Sequence, residues 1–558
     1  IKENNPINLV GTYPMDDNEA TKLEPYKFSI TPNSQTCSKL QYNITIVSNC
    51  DTCTKTNGIC NDNNLCNCNE GYQIDPNLIK YEITNKTTGE KTVGINPYKM
   101  GVAGSMTVGT TINFELRMWI INSATNDDLY IKENGSYKED SNGLILTKNF
   151  CSKVKITGTD TPYLTPIDVS GANAPVLASN MIPVYYDETN SVWKKSDVSN
   201  MDKTNPWYSY NSTGEYKGMW ANAVTVTGTN RTKYLNATPG TTISMDDITT
   251  MWVWIPRFNA VTPSNYNGGT KALPNAIDVT FVKQNETAID AFTFGTKQLS
   301  GFWYAKFELS HSTLASSSNS NSLGCTNEAC SNANGIIIKP SVKSLRYNNI
   351  SNFFFASRSM EQPNNSFGFV STEVDTHMSK NNEWGAVAYL AQSIYGKCAN
   401  SIACTEVGIN NNSTYITGIG AEAGSSYTGA TSDSYDTAFG MRASTTGNIY
   451  GIYDMSGGAW DYVMGSYSKT IGSSGFTSST FPNDKYFNNY TTSSYQGHAL
   501  TETNGWYNDN FGIVVSSSPW FSRGSQYSNS SSAGVFSSYP QNGTAYSNIS
   551  ARFTLTNE

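Results

Sequence analysis

Eleven cysteines and three histidines are the residues best suited to covalent or metal chemistry in this chain, and their spacing separates the two. Cys50, Cys53, Cys60, Cys66 and Cys68 crowd between positions 50 and 68, while Cys325/Cys330 and Cys398/Cys404 form short-range pairs in Asn/Ser/Gly-rich sequence. Small-loop pairs of this kind read as disulfides, which implies an oxidising, extracytoplasmic setting. Zinc is the rival for the five-cysteine cluster, but it calls for paired Cys-x-x-Cys knuckles and only Cys50-x-x-Cys53 qualifies. His311, His377 and His498 are isolated from one another and make no metal site; His377, beside Met378, reads as a satisfied turn residue. Trp252 and Trp254 share one face of a strand and read as core, although exposed rings would stack on sugars.

Composition narrows the partners. Asp, Glu, Lys and Arg make up 15% of the 558 residues, against roughly 25% in ordinary soluble proteins. Asn, Ser, Thr, Gly and 34 Tyr take their place, and the 12% aromatic content supplies enough apolar area to exclude disorder. A net charge of −8, with 37 basic residues spread thinly, leaves no patch for phosphates, so no nucleic-acid partner is expected. No apolar run approaches the roughly 18 residues of a membrane helix, so no membrane insertion is expected either. The opening Ile1 suggests a processed, exported chain. Asn-x-Ser/Thr triplets such as Asn43 and Asn134 arise by chance at this Asn content and need no glycan.

The elements that must carry these residues fall into two blocks. Over residues 16–160 apolar residues alternate with polar ones: Tyr26, Phe28, Ile30; Leu40, Tyr42, Ile44, Ile46; Ile79, Tyr81, Ile83; and most regularly Ile112, Phe114, Leu116, Met118, Ile120. Period two predicts half-buried antiparallel strands of a sandwich, interrupted by the Cys-rich insert 50–72. Residues 1–15 form an extension in which Ile7, Leu9, Gly11 and Tyr13 alternate, as a strand requires; it joins either its own sheet or that of a neighbour. Residues 161–179, with Pro162, Pro166, Gly171 and Pro175, read as a linker. Residues 180–558 hold ten of the eleven Trp in turn-rich sequence, with one helix expected from Lys380 to Gln392 on the spacing of Trp384, Val387, Ala388 and Ala391.

Three resemblances follow from local motifs. Tyr26-Lys27-Phe28-Ser29-Ile30, Tyr42-Asn43-Ile44-Thr45-Ile46, Val108-Gly109-Thr110-Thr111 with Phe114 to Ile120, and Lys148 to Ile156 resemble the TasA/camelysin class of bacterial biofilm-fibre proteins. That resemblance implies a jelly roll that polymerises when an N-terminal strand completes the sheet of the next subunit. Cys50-Asp-Thr-Cys53, Asn57-Gly58-Ile59-Cys60 and Cys66-Asn67-Cys68-Asn69-Glu70-Gly71-Tyr72 resemble a tenascin-type EGF-like module. It implies bridges Cys50–Cys60 and Cys53–Cys66, with Cys68 pairing with Cys37 or Cys151 or staying free. Asn382 to Tyr389, Asn448-Ile-Tyr-Gly-Ile-Tyr-Asp-Met-Ser-Gly-Gly-Ala-Trp-Asp-Tyr462, Ser522-Arg523-Gly524-Ser525 and Ala551-Arg552-Phe553 resemble the formylglycine-generating-enzyme (sulfatase-modifying-factor) family, a variant of the C-type lectin fold.

The expected fold is therefore mainly β: an N-terminal antiparallel β-sandwich (jelly roll), then an irregular α+β C-type-lectin/formylglycine-generating-enzyme-like domain. Catalysis is not expected. The enzyme family oxidises with a cysteine pair between its Arg-Gly and final Arg blocks, whereas residues 525–550 hold none. No cofactor is expected; a structural calcium at Asp454 and Asp461 is weakened by Gly458, where the family has Asn. Glu361-Gln362-Pro363-Asn364 and Trp506-Tyr507-Asn508-Asp509 echo the calcium motifs of animal C-type lectins, with a turn at Pro363 as the plainer reading. Between 522 and 550 the fold family displays a ligand-binding face, here Ser, Asn, Tyr and Gly, with Tyr527, Asn529, Tyr539, Gln541 and Tyr546 as candidates. The resulting expectation is an extracellular surface-filament subunit that homopolymerises and displays a domain for a glycan or protein ligand. A phage fibre protein and a secreted monomeric adhesin are the alternatives.

Overall fold

A computed structural model describes residues 7–10, 13–31, 39–51, 53–61, 66–107, 110–159, 167–200, 203–315 and 322–557. The chain divides into two compact units, Ile1–Thr165 and Pro166–Glu558, and is mainly β throughout.

In the first unit the period-two segments become two four-stranded antiparallel sheets. One runs Ile7–Val10, Asn149–Thr159, Lys39–Ser48, Gly101–Thr107; the other runs Tyr26–Ile30, Ile112–Ile120, Ile79–Asn85, Lys91–Ile95. Alternation puts Phe114, Leu116, Met118 and Ile120 inside, against Tyr42, Ile44 and Ile46 of the opposite sheet. Phe114 stacks on Phe28 at 5.3 Å and takes the edge of Tyr42 at 5.8 Å. Each such buried side chain contributes about 1.5–3 kcal/mol relative to exposure.

The Cys-rich insert is wired differently from the EGF-like expectation. Its bridges are Cys50–Cys68, Cys53–Cys60 and Cys66–Cys151, not Cys50–Cys60 and Cys53–Cys66. The cause is a tertiary neighbour. Asn49 N–H donates to Cys151 O (3.1 Å), Asn149 N–H to Tyr72 O (2.9 Å) and Ile74 N–H to Asn149 O (2.9 Å), so both ends of the insert are pinned against residues 149–151. Cys66 therefore leaves the module, and Cys68, expected to pair outside it or stay free, pairs within it. The sulfurs of Cys50, Cys60 and Cys68 are the one group among the described residues close enough to share a metal ion, and all three are in disulfides. Cys37 lies outside the described residues.

The second unit is built on a seven-stranded antiparallel sheet: Val192–Lys195, Ile182–Asp187, Asn222–Val226, Ile248–Pro256, Gly301–Ala305, Phe553–Asn557, Val374–Met378. A second sheet orders Asn488–Tyr490, Trp460–Tyr467, Trp520–Arg523 and Ser538–Gln541, with Ile549–Ala551 running parallel to Trp460–Tyr467. The expected helix appears as Asn381–Ala391, buried on every side rather than on one stripe. A further helix, Ile350–Ser359, starts where the Asn349 side chain accepts from Asn352 N–H.

Trp252 and Trp254 are core residues, and Trp254 packs edge-on against Trp303 at 5.3 Å. Their partners correct the linker assignment for 161–179, because residues from 167 onward belong to the second unit. Trp254 Nε1–H donates to Asn173 O and Trp303 Nε1–H to Val176 O, while Asp168 accepts from Tyr210 N–H. Pro and Gly marked an extended segment there, but its carbonyls satisfy buried indoles. Cys325–Cys330 and Cys398–Cys404 close the two short loops of this unit.

Candidate functional site

Of the extension, Ile7 and Leu9 lie on an edge strand paired antiparallel with Ser152–Asn149, half-buried against the sandwich core. Tyr13 lies beyond the strand and is 77% exposed, so the alternation read through position 13 does not extend to it; Gly11 lies outside the described residues.

In the second unit, the strands Trp520–Arg523 and Ser538–Gln541 flank a tight turn at Tyr527–Ser532. Tyr527 meets the edges of Tyr415 at 4.9 Å and Tyr427 at 5.7 Å, and the Arg346 guanidinium lies 3.7 Å over the Tyr415 ring. Burial pushes the Tyr415 hydroxyl up to about 12 and the Arg346 guanidinium down. Tyr415, Ser525 and Ser530 all adopt positive φ, a strain that persists where the surroundings enforce it and that gathers at binding and catalytic sites. Tyr539 is half exposed and 5.9 Å from Trp460. The other candidates serve their own loops. Asn529 Oδ1 accepts from Gln526 N–H, Tyr546 OH bonds to Asn542 Oδ1, and Gln541 pairs opposite Trp520 in the sheet. Of the five candidate residues, then, Tyr527 and Tyr539 contribute to surface aromatic clusters. Tyr415, Tyr427 and Arg346 had no signal in the sequence, because they arrive from loops far away along the chain.

Beneath this face lies a buried acid cluster. Ala459 N–H donates to Glu308 Oε1 (2.7 Å); Asn410 Nδ2 and Gly418 N–H both donate to Asp454 Oδ1 (2.8 Å); Arg552 Nε donates to Asp461 Oδ2 (2.8 Å). Three carboxyls share one guanidinium. Burial raises all three, Glu308 well above the usual carboxylate range and Asp461 to about 6. Gly458 belongs to this packing: it has φ +65°, and a Cβ there would stand 2.3 Å from Glu308 Oε1. Its carbonyl accepts from Tyr527 N–H (2.9 Å), which ties the acid cluster to the tyrosine face. Asp454 and Asp461, the calcium candidates, are thus engaged by amide and guanidinium donors. Among the described residues no group of three carboxylate, histidine or thiol ligands includes them.

The histidines are satisfied internally. His377 sits in the strand Val374–Met378 rather than a turn, with Nδ1 3.1 Å from Asp375 and Nε2 2.9 Å from Glu383. Burial would push it down, but the two carboxylates outweigh that and raise it. His498 lies 2.6 Å from both Asp290 and the Tyr490 hydroxyl, and His311 2.8 Å from Asn332 O. The acids of the two lectin-like motifs are turned inward, while Pro363, Asn364 and Asn508 are exposed. Glu361 pairs with Arg358 (2.6 Å), and Asp509 accepts from Phe536 N–H (3.0 Å). Lys306, which no motif marked, is fully buried among Trp193, Phe307 and Tyr453, with Nζ donating to Ile449 O and Gly451 O at 2.7 Å.

No protein-family model matches the chain, and no match to it was found among curated proteins.

Proposed function

We propose that this chain is a non-enzymatic, extracellular subunit of a bacterial surface filament, polymerising through its N-terminal sandwich and presenting its C-terminal unit as an adhesion domain for a glycan or protein ligand. The observation that carries the reading is the separability of the strand Ile7–Val10. It is four residues long, lies at a sheet edge and, among the described side chains, lends half-buried Ile7 and Leu9 to the core of the unit. The same strand from a neighbour would offer the same backbone hydrogen bonds and the same alternating side chains, so exchange conserves register. Among the described residues, five disulfides support an oxidising destination, and no helix is long and apolar enough to cross a membrane. The turn Tyr527–Ser532 and its surroundings through residue 550 offer hydroxyls and amides but no thiol, which supports display over oxidation.

The pairing of Ile7–Val10 with Ser152–Asn149 of its own sheet also supports a secreted monomeric adhesin. Deleting residues 1–12 and imaging the secreted product by electron microscopy separates the two. Loss of filaments formed by the intact chain supports strand exchange; filaments that persist unchanged, or an intact chain that forms none, overturn it.

A further inference from the structure

The second unit contains a cleft of about 820 Å³, apart from the tyrosine face, walled by residues 185–189, 203–206, 215–219 and 448–450. That volume falls in the range of small-molecule sites, roughly 300–1,000 Å³. Its fixed charges largely cancel. Asp187 is held by Lys194 at 2.6 Å and by the backbone of Thr189 and Asn190, and Lys217 Nζ donates to Cys398 O at 2.7 Å. Three acids, Asp187, Glu188 and Glu215, line it together with three lysines, Lys194, Lys203 and Lys217, so neither an anion nor a cation meets a wall of one opposite sign, and an apolar ligand would strand the hydroxyls and amides of the lining.

What the walls offer is ring surface beside hydrogen-bonding groups. Tyr216 and Tyr450 are half-buried, so part of each remains accessible, and Glu188, Glu215 and Thr204 stand exposed along the cleft. Aromatic rings take the C–H face of a pyranose, and carboxylate and hydroxyl groups take its hydroxyls. The walls are also preorganised. Tyr450 OH bonds to both Tyr186 N–H (3.3 Å) and Tyr186 O (3.2 Å), while Asn448 ties Thr446, the Tyr450 amide and Lys217 O together.

We propose that this cleft binds a neutral oligosaccharide. The inference concerns the second unit alone and does not need polymerisation, so a failed strand-exchange experiment leaves it standing. The test is titration calorimetry of the full chain with lactose, maltotriose and triacetylchitotriose, and with 3′-sialyllactose as the anionic comparison. Saturable binding of at least one neutral sugar is expected. Tyr216→Ala and Glu215→Gln should each weaken it at least about tenfold with an unchanged melting temperature, the size of one lost well-packed contact, while exposed Leu273→Ala leaves it unaltered. The proposal is overturned if none of the neutral sugars binds, if only the sialylated one does, or if binding survives the cleft substitutions and is lost instead in Tyr527→Ala.

Discussion

A carboxyl group withdrawn from water either finds donors or keeps its proton, and Glu308, Asp454 and Asp461 share one guanidinium, that of Arg552. Their raised pKa values mean that the folded chain holds protons that the unfolded chain releases above about pH 4. His377 is raised as well, so above its ordinary 6.5 the native state again binds the extra proton. With more protons on the native state, stability falls as pH rises through each folded pKa. Asp375 and Glu383, held low despite burial by His377 and neighbouring cations, act in the opposite sense, but only as pH drops through the carboxylate range. Lys306 and Lys397, which burial lowers, act against this fall toward higher pH. The melting temperature of the second unit should therefore be higher near about pH 5.5 than near about pH 7.5, and His377→Gln should flatten the upper part of that slope. Equal midpoints at the two pH values would refute the assignment. Gly458→Ala tests the same packing from the backbone side. A Cβ 2.3 Å from Glu308 Oε1 at φ +65° should cost about 3 kcal/mol of stability, read by chemical denaturation.

At the level of elements, the disulfides divide by the length of chain they close. Cys66–Cys151 spans 85 residues and Cys325–Cys330 only 5. Chain-entropy estimates are about 4–5 kcal/mol for the first and about 2 kcal/mol for the second. Replacing Cys66 and Cys151 by Ser should lower the melting temperature of the first unit clearly more than the equivalent change at Cys325 and Cys330 lowers that of the second. Mass-spectrometric mapping should return Cys50–Cys68, Cys53–Cys60 and Cys66–Cys151. The strands around this staple were legible in the sequence, since Phe114, Leu116, Met118 and Ile120 alternate against water on the other side. The pairing of the cysteines was not, because it is decided by Asn49 and Asn149 binding across the fold. In the second unit a helix enclosed on all sides, such as Asn381–Ala391, carries a weaker periodic signal than a half-exposed one. The segment after residue 166 looked like a spacer because the indoles it caps, Trp254 and Trp303, lie some eighty or more residues onward. The tyrosine face was legible only at Tyr527 and Tyr539, for the same reason of distance.

For the whole molecule, two separate hydrophobic cores predict two unfolding events. One gathers Phe28, Tyr42, Ile83 and Phe114; the other gathers Trp252, Trp303, Trp384 and Phe553. Calorimetry of the intact chain should resolve two transitions, and a reductant should shift that of the first unit furthest because it loses the longest-range staple. A single transition insensitive to reductant would contradict this division. The edge register adds a mechanical consequence. Asn8 stands opposite Cys151, so the strand that flanks Ile7–Val10 is bolted through Cys66 into the insert. In the proposed fibre under tension, load entering at that edge would run along the strands in shear and be passed by a covalent bond to the body of the proposed subunit. An oxidised fibre should then hold its length under forces at which a reduced one creeps.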